Sequence, residues 1–212
     1  IASRSDQPME SNTWVLSYNG EIYNFKSLRS QLERSHVFKT KSDTEVLLVA
    51  LEEWGVDGTL ERICGMFAFL AYNKVENILY AVRDHLGIKP LLMTRLSDNS
   101  FCFASSVAAL VAAQPMQSFT QYAPALASFF TLGAVFTRGS VFDGIERVEP
   151  ATYVKCFPNG AFSTHRYWEP SYQPNFTIDD LISVVSEYEV ADVKSALFLS
   201  GGVDSTFLAA ST

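Results

Sequence analysis

The sequence predicts an α+β domain of antiparallel strands layered with helices, joined to the opening of an α/β unit. Three observations predict it. Apolar and β-branched runs separated by polar turns fill the middle of the chain, with helix-period segments before and between them. A mostly polar stretch bracketed by Pro170 and Pro174 follows and reads as a linker. Beyond it an apolar run, Ala196 to Leu199, stops at Ser-Gly-Gly and gives way to a second helix-forming run, Thr206 to Ala210. The expected domains are therefore 1–170 and 171–212.

The elements follow in order. Thr13 to Tyr18 favours a strand by its aromatic and β-branched content. Asn19-Gly20 is a turn signal. Ile22, Phe25, Leu28 and Leu32 recur at helical spacing. Ser42-Asp43-Thr44-Glu45 resembles a helix cap, and the stripe Val46, Leu47, Leu51, Trp54 after it is a core face that Gly55 would end. Met66 to Tyr72 and Ile78 to Arg83 read as a hairpin of buried strands, and Leu91 to Arg95 with Phe101 to Ser105 as the continuing meander. Val107 to Ala113 and Ala125 to Phe130 look helical. Tyr153 to Phe157 and Phe162 to Trp168 form a further hairpin around Pro158-Asn159-Gly160. Ile178 to Val185 reads as a short helix, and Ala196 to Leu199 as a strand.

Composition narrows the class. Of 212 residues, 48% are hydrophobic and 18% charged, enough for a substantial core. The net charge of −7 and the lack of a basic run argue against a nucleic-acid surface. The 3 cysteines form no C-x-x-C pair, which fits buried thiols in a reducing cytoplasm. No stretch approaches the roughly 18 consecutive apolar residues of a membrane span, and no signal peptide opens the chain. Asn175-Phe176-Thr177 fits a glycosylation sequon by chance.

The end of the chain carries chemistry. Two glycines between an apolar run and a helix clear the way for backbone N–H groups to approach an anion, and the helix start adds a positive dipole end. Ser200 and Ser205 can donate to phosphate oxygens, and Asp204 can hold a magnesium ion that bridges them. The pattern Ser200-Gly201-Gly202-Val203-Asp204-Ser205 resembles the pyrophosphate loop of ATP pyrophosphatases.

Earlier segments resemble a family in the same order. They are Tyr18-Asn19-Gly20-Glu21-Ile22-Tyr23-Asn24, Ser42-Asp43-Thr44-Glu45, Gly65-Met66-Phe67-Ala68-Phe69, Arg83-Asp84 with Gly87-Ile88-Lys89-Pro90, Phe103-Ala104-Ser105, Val141-Phe142-Asp143-Gly144-Ile145 and Tyr167-Trp168. With the Ser-Gly-Gly loop they resemble the asparagine synthetase family, whose N-terminal part is a class II glutamine amidotransferase domain of Ntn-hydrolase type. The resemblance implies a glutaminase domain over 1–170, lacking its N-terminal strand, and over 171–212 a linker with the first βα unit of an ATP-binding synthetase domain. It implies a ligase that hydrolyses glutamine and passes ammonia to an acyl-adenylate, expected to be that of aspartate, with ATP and Mg2+ as cofactors. Cysteine usage and ATP dependence point to a cytoplasmic setting, and the resemblance implies asparagine biosynthesis, with room for a homodimer.

The resemblance also assigns residues. Asn19 (side-chain amide) and Gly20 (backbone N–H) match the oxyanion hole. Asn19, Gly20, Glu21 and Asp43 match the glutamine site. Phe198, Ser200, Gly201, Gly202, Asp204 and Ser205 match the ATP loop, with Asp204 the magnesium residue. By local chemistry alone, Asn19-Gly20 is a hairpin turn and Asp43 an N-cap. Arg83 and Asp84 read as a structural ion pair and Lys89 as structural. His85 and His165 lack metal-ligand spacing.

Departures from the pattern stand beside it. The family's nucleophile is a cysteine at the mature N-terminus, activated by its own α-amine, whereas this sequence starts at Ile1, which aligns inside the domain. Cys64-Gly65 imitates such a start, but an internal cysteine has no free amine, so a packing role is expected. Ser106 stands where a glutamate is common, and Tyr188 to Ser195 looks compressed. The chain thus looks truncated at both ends and, taken literally, inactive. Two alternatives remain: a related amidotransferase acting on another carboxylate such as a sugar acid, and a non-catalytic scaffold derived from the family.

Overall fold

The computed structural model describes residues 6–113, 119–137, 139–172, 174–188 and 196–211. The chain divides into two units, Ile1–Glu169 and Pro170–Thr212.

Among the described residues, the first unit holds nine strands in two antiparallel sheets. They are β1 (Met9–Glu10), β2 (Trp14–Ile22), β3 (Gly65–Asn73), β4 (Ile78–Arg83), β5 (Leu92–Arg95), β6 (Phe101–Ala104), β7 (Ile145–Arg147), β8 (Thr152–Cys156) and β9 (Phe162–Arg166). The six-stranded sheet runs β1-β2-β3-β4-β8-β9, and the three-stranded sheet β6-β5-β7. Its helices are α1 (Phe25–Leu32), α2 (Asp43–Leu60), α3 (Val107–Ala112) and α4 (Ala123–Leu132).

Strand alternation builds the layers. Trp14, Leu16, Tyr18 and Ile22 of β2 point to one face with Phe67, Phe69 and Ala71 of β3, and pack against Leu28, Leu32, Val46, Leu47 and Leu51 of α1 and α2. The opposite face offers Ala68, Ala81 and Val154 to Leu91 and Met93 beside the smaller sheet. That sheet covers its far side with Leu110 of α3 against Leu92 and Ile145. The order of layers is helices, six strands, three strands, helix.

Several expectations are corrected. Leu92–Arg95 and Phe101–Ala104 do not continue the meander of the larger sheet; β4 pairs with β8 instead. The hairpin pattern is local and does not say which sheet a hairpin joins. The Asp84–Pro90 loop makes the switch. Asp84, fully buried, accepts the backbone N–H groups of Phe67, Leu86, Ile88 and Lys89 at 3.3, 3.1, 2.9 and 2.9 Å. Arg83 donates to the carbonyls of Lys89, Val148 and Gly87 at 2.9, 2.7 and 2.7 Å. Among the described residues no ion pair joins Arg83 to Asp84. Each side chain holds backbone, and Lys89 enters through its N–H and C=O.

Ser42, not Asp43, is the N-cap of α2: its Oγ accepts the Glu45 N–H at 3.3 Å. The buried Glu45 carboxylate turns back to the Lys39 and Thr40 N–H groups at 2.8 and 2.6 Å. Gly55 (φ 66°, ψ −172°) breaks α2, which resumes to Leu60.

Asn19-Gly20 is not a turn. Both lie inside β2, opposite Ala68 and Phe67 of β3. A Cβ on Gly20 would fall 2.2 Å from the Met66 carbonyl oxygen, and one on Gly65 2.1 Å from that of Glu21. The glycines are there because two backbones touch.

His85 wedges edge-on against Phe67, Tyr167 and Trp168, with ring centroids 5.9, 5.3 and 5.3 Å away. Burial holds its pKa below the usual histidine value, opposed by Asp84. A folded-state pKa below the unfolded one means the unfolded chain binds the extra proton. Stability is then full above the unfolded pKa of about 6.5 and falls as pH drops through the folded value. Urea midpoints should fall from about pH 7 to about pH 5, and His85→Phe should flatten that slope.

The second unit holds α5 (Ile178–Glu187) and α6 (Val203–Ser211). Thr177 caps α5 in a reciprocal box with Asp180. Ala196–Leu199 forms no strand. A strand exists only with a partner for its N–H and C=O groups, and the described residues of this unit include no other strand. Glu189–Ser195, including most of the stretch read as compressed, and Gln173 of the linker lie outside the described residues.

Candidate active site

The site assembles along one edge of β2. Side chains alternate, so Asn19 and Glu21 lie on the face toward the smaller sheet, while Tyr18, Gly20 and Ile22 face the helices. Backbone groups alternate between edges in the same way. Tyr18 N–H donates to Gln7 Oε1 at 2.5 Å and Ile22 N–H to Asp43 Oδ2 at 3.1 Å, both away from β3. Gly20 lies between them at the same parity, so its N–H points off the sheet too. Its ladder partner agrees: Phe67 turns its N–H and C=O to Asp84, at 3.3 and 2.8 Å, not toward β2. Strand β1 pairs only with Leu16 and Val15. Among the described residues no hydrogen bond outside the ladders engages the Gly20 N–H. It is a main-chain donor on a half-buried residue, at a stretch of the β2 edge that no strand among the described residues covers.

Asn19 is exposed beside it, and among the described residues its side chain makes one long hydrogen bond, Nδ2 to Ser105 Oγ at 3.4 Å. Asp43 sits at the start of α2, close to the same edge. Its Oδ2 accepts both the Ile22 N–H and the Tyr18 hydroxyl, the latter at 2.7 Å. Burial first, and then Asp43, push the Tyr18 phenol far above its ordinary pKa. Among the described residues no hydrogen bond reaches Oδ1. The fold therefore brings Asp43 to Asn19-Gly20-Glu21 from beyond α1, with one carboxylate oxygen left for a ligand.

Cys64 precedes β3. Its N–H donates to Asn24 Oδ1 at 3.0 Å and its C=O accepts from Tyr23 N–H at 2.8 Å. Both backbone groups are spent holding the β2–β3 joint. His165 stacks on Tyr153 with centroids 5.0 Å apart, a packing role. Tyr18 and Ser105 are contributors that pattern alone did not assign, and Gln7 holds only the strand backbone at Tyr18. Tyr18 and Ser105 lie inside motifs already noted, but their roles depend on contacts at long sequence separation.

In the second unit the loop residues are local to one another. Gly201 has φ +80°, and Ser200 Oγ lies 3.1 Å from Ser205 Oγ and 3.4 Å from Gly202 N. Ser205 Oγ donates to Gly202 O at 3.2 Å. Asp204 is exposed in the first turn of α6, and Phe198 is 98% exposed. A positive-φ glycine before a helix N-terminus suits an anion. Among the described residues no group of three or more His, Cys, Asp or Glu side chains could hold a metal ion, and no helix is long and apolar enough to cross a membrane.

Two facing antiparallel sheets with helices on their outer sides are the layering of the class II glutamine amidotransferase fold. The chain belongs to the family described as the glutamine amidotransferase domain, whose sequence profile matches residues 1–168. It is 35% identical over 219 residues to asparagine synthetase [glutamine-hydrolyzing] 3 of Bacillus subtilis, covering 96% of this chain and 35% of that protein. Asparagine synthetase [glutamine-hydrolyzing] 1 of the same organism is 33% identical over 214 residues, covering 95% and 33%. The chain thus spans about a third of the length of these relatives. The fold is shared with glutamine phosphoribosylpyrophosphate amidotransferase from B. subtilis complexed with ADP and GMP, at TM-score 0.52 and 24% identity over 77% of this chain and 32% of that one.

Proposed function

We propose that the first unit hydrolyses glutamine within an ATP-dependent, amide-forming ligase of asparagine synthetase type. The observation that carries the reading is the Gly20 N–H on an edge of β2 left uncovered among the described residues, next to Asn19 and near the Asp43 carboxylate. Amide hydrolysis passes through a tetrahedral oxyanion, and fixed donors aimed at it are the largest source of rate. Gly20 N–H and the Asn19 amide are such donors. Asp43 of α2, with Glu21 of β2, supplies carboxylate for the α-ammonium of glutamine. The nucleophile of this scheme is a cysteine at the mature N-terminus of the parent protein.

The ligase half rests on the Ser200–Ser205 loop and on the names of the relatives. ATP would sit with its phosphates on Ser200, Gly201, Gly202 and Ser205, with Asp204 holding Mg2+ and Phe198 beside the nucleotide. The acceptor is aspartate in this reading. A sugar acid or another carboxylate is the alternative.

The test is a coupled assay on the full-length protein with glutamine, ATP and aspartate, scoring glutamate, AMP and asparagine. All three should form. Glutamate without asparagine would move the acceptor to another carboxylate. No glutamate would favour a non-catalytic scaffold. Asp204→Ala should cut AMP formation about tenfold or more while glutamine hydrolysis persists. Equal loss of both activities would count against the division of labour.

A further inference from the structure

We infer that Tyr18 is the positioning residue for recognition of the substrate's α-ammonium, acting through Asp43. The inference rests on the glutaminase reading and deepens it. Tyr18 comes from β2 and Asp43 from the first turn of α2. The Tyr18 ring is buried among the side chains that join the sheet to α1 and α2, so its hydroxyl has one fixed place. That hydroxyl donates to Asp43 Oδ2 at 2.7 Å, and the Ile22 N–H donates to the same oxygen at 3.1 Å. The two donors lie four positions apart on β2 and straddle Gly20.

A carboxylate is otherwise loose about its last torsion, which has a broad two-fold profile. Two donors on one oxygen fix that torsion and determine where Oδ1 points. Among the described residues Oδ1 has no partner, so it is the oxygen left for an ammonium, a strong charge-assisted acceptor site. The phenol's raised pKa keeps it a donor throughout the working range. Glu21 and Tyr23 also act electrostatically on Tyr18, and neither replaces its contact with Oδ2.

The inference predicts a chemically selective defect. The test uses full-length protein, glutamine, and glutaramate, which is glutamine without the α-amino group. Tyr18→Phe keeps the ring and removes the hydroxyl. Its KM for glutamine should rise about tenfold, the weight of one hydrogen bond to a charged group, and the loss should fall on KM rather than kcat. The KM for glutaramate should not move. Asp43→Asn should abolish the preference for glutamine over glutaramate, and adding Tyr18→Phe to it should change nothing more.

Other outcomes separate the failures. If Tyr18→Phe impairs both substrates equally, or neither, the positioning role is wrong. If Asp43→Asn leaves the preference intact, the ammonium role of Asp43 is wrong and the glutaminase reading loses that part. If Asp43→Asn abolishes the preference but Tyr18→Phe does not alter it, only the inference about Tyr18 falls. Should Tyr18→Phe fail to fold, the Asp43→Asn arm and a Gln7→Ala variant, which frees the Tyr18 N–H but leaves its hydroxyl, decide the matter. Gln7→Ala must then preserve the preference, and its loss would shift the role from the hydroxyl to the strand.

Discussion

Asn19→Ala is expected to slow glutamine turnover by roughly 10²–10³ at saturating substrate, the usual effect of removing one donor from an oxyanion hole. The residue is exposed, and among the described residues its side chain makes one hydrogen bond, to Ser105 Oγ, long at 3.4 Å. Truncation should therefore leave the melting temperature within a degree or two (~0.5 kcal/mol or less). The Gly20 N–H stays in place because β2 is held by β3 through its whole length. One of two donors then remains, and the oxyanion keeps part of its stabilisation. The measurements are kcat by glutamate release and a thermal melt on the same sample. Unchanged turnover with an unchanged melt would remove Asn19 from the role.

Asp84→Ala should cost about 4 kcal/mol of folding stability. Its carboxylate is fully buried and accepts four backbone N–H groups, those of Phe67, Leu86, Ile88 and Lys89. Each donor left buried without a partner costs about 1–3 kcal/mol, and relaxation or entering water recovers part of the sum. Against a typical total of about 5–15 kcal/mol this is a large share. The urea midpoint should drop by about 2 M for a slope near 2 kcal/mol/M. Asp84→Asn, which keeps one oxygen, should lose about half as much. A midpoint within about 0.3 M of the parent would show that the loop does not depend on the carboxylate.

Most of the elements of the first unit were legible because hydrophobic period and length agree there. Met66–Tyr72 and Ile78–Arg83 are buried strands in a hairpin, and Val46, Leu47 and Leu51 form a core stripe. What was not legible depended on contacts between distant segments. Asn19-Gly20 has the composition of a tight turn, and only the approach of Met66 and Phe67 shows why a glycine stands inside a strand. Arg83 and Asp84 are adjacent opposite charges, yet each spends itself on backbone. Leu92–Arg95 reads as strand in any sheet, and its membership was set by the Asp84 loop. Of the candidate site, Asn19, Gly20 and Glu21 come as one word in the sequence. The contacts of Gln7 and Tyr18 with that word appear only in three dimensions.

The paired glycines of β2 and β3 act as a mechanical key. A donor supplied by the main chain is indifferent to side-chain chemistry but wholly dependent on alignment. Sliding β2 by one position would turn the Gly20 amide inward and present its neighbour's instead. Gly20 and Gly65 fit where the facing backbone presses on each, at Met66–Phe67 and at Glu21–Ile22. Every other offset sets a side chain into that gap. Two residues with no functional group of their own thereby index where the amide-splitting atoms must stand.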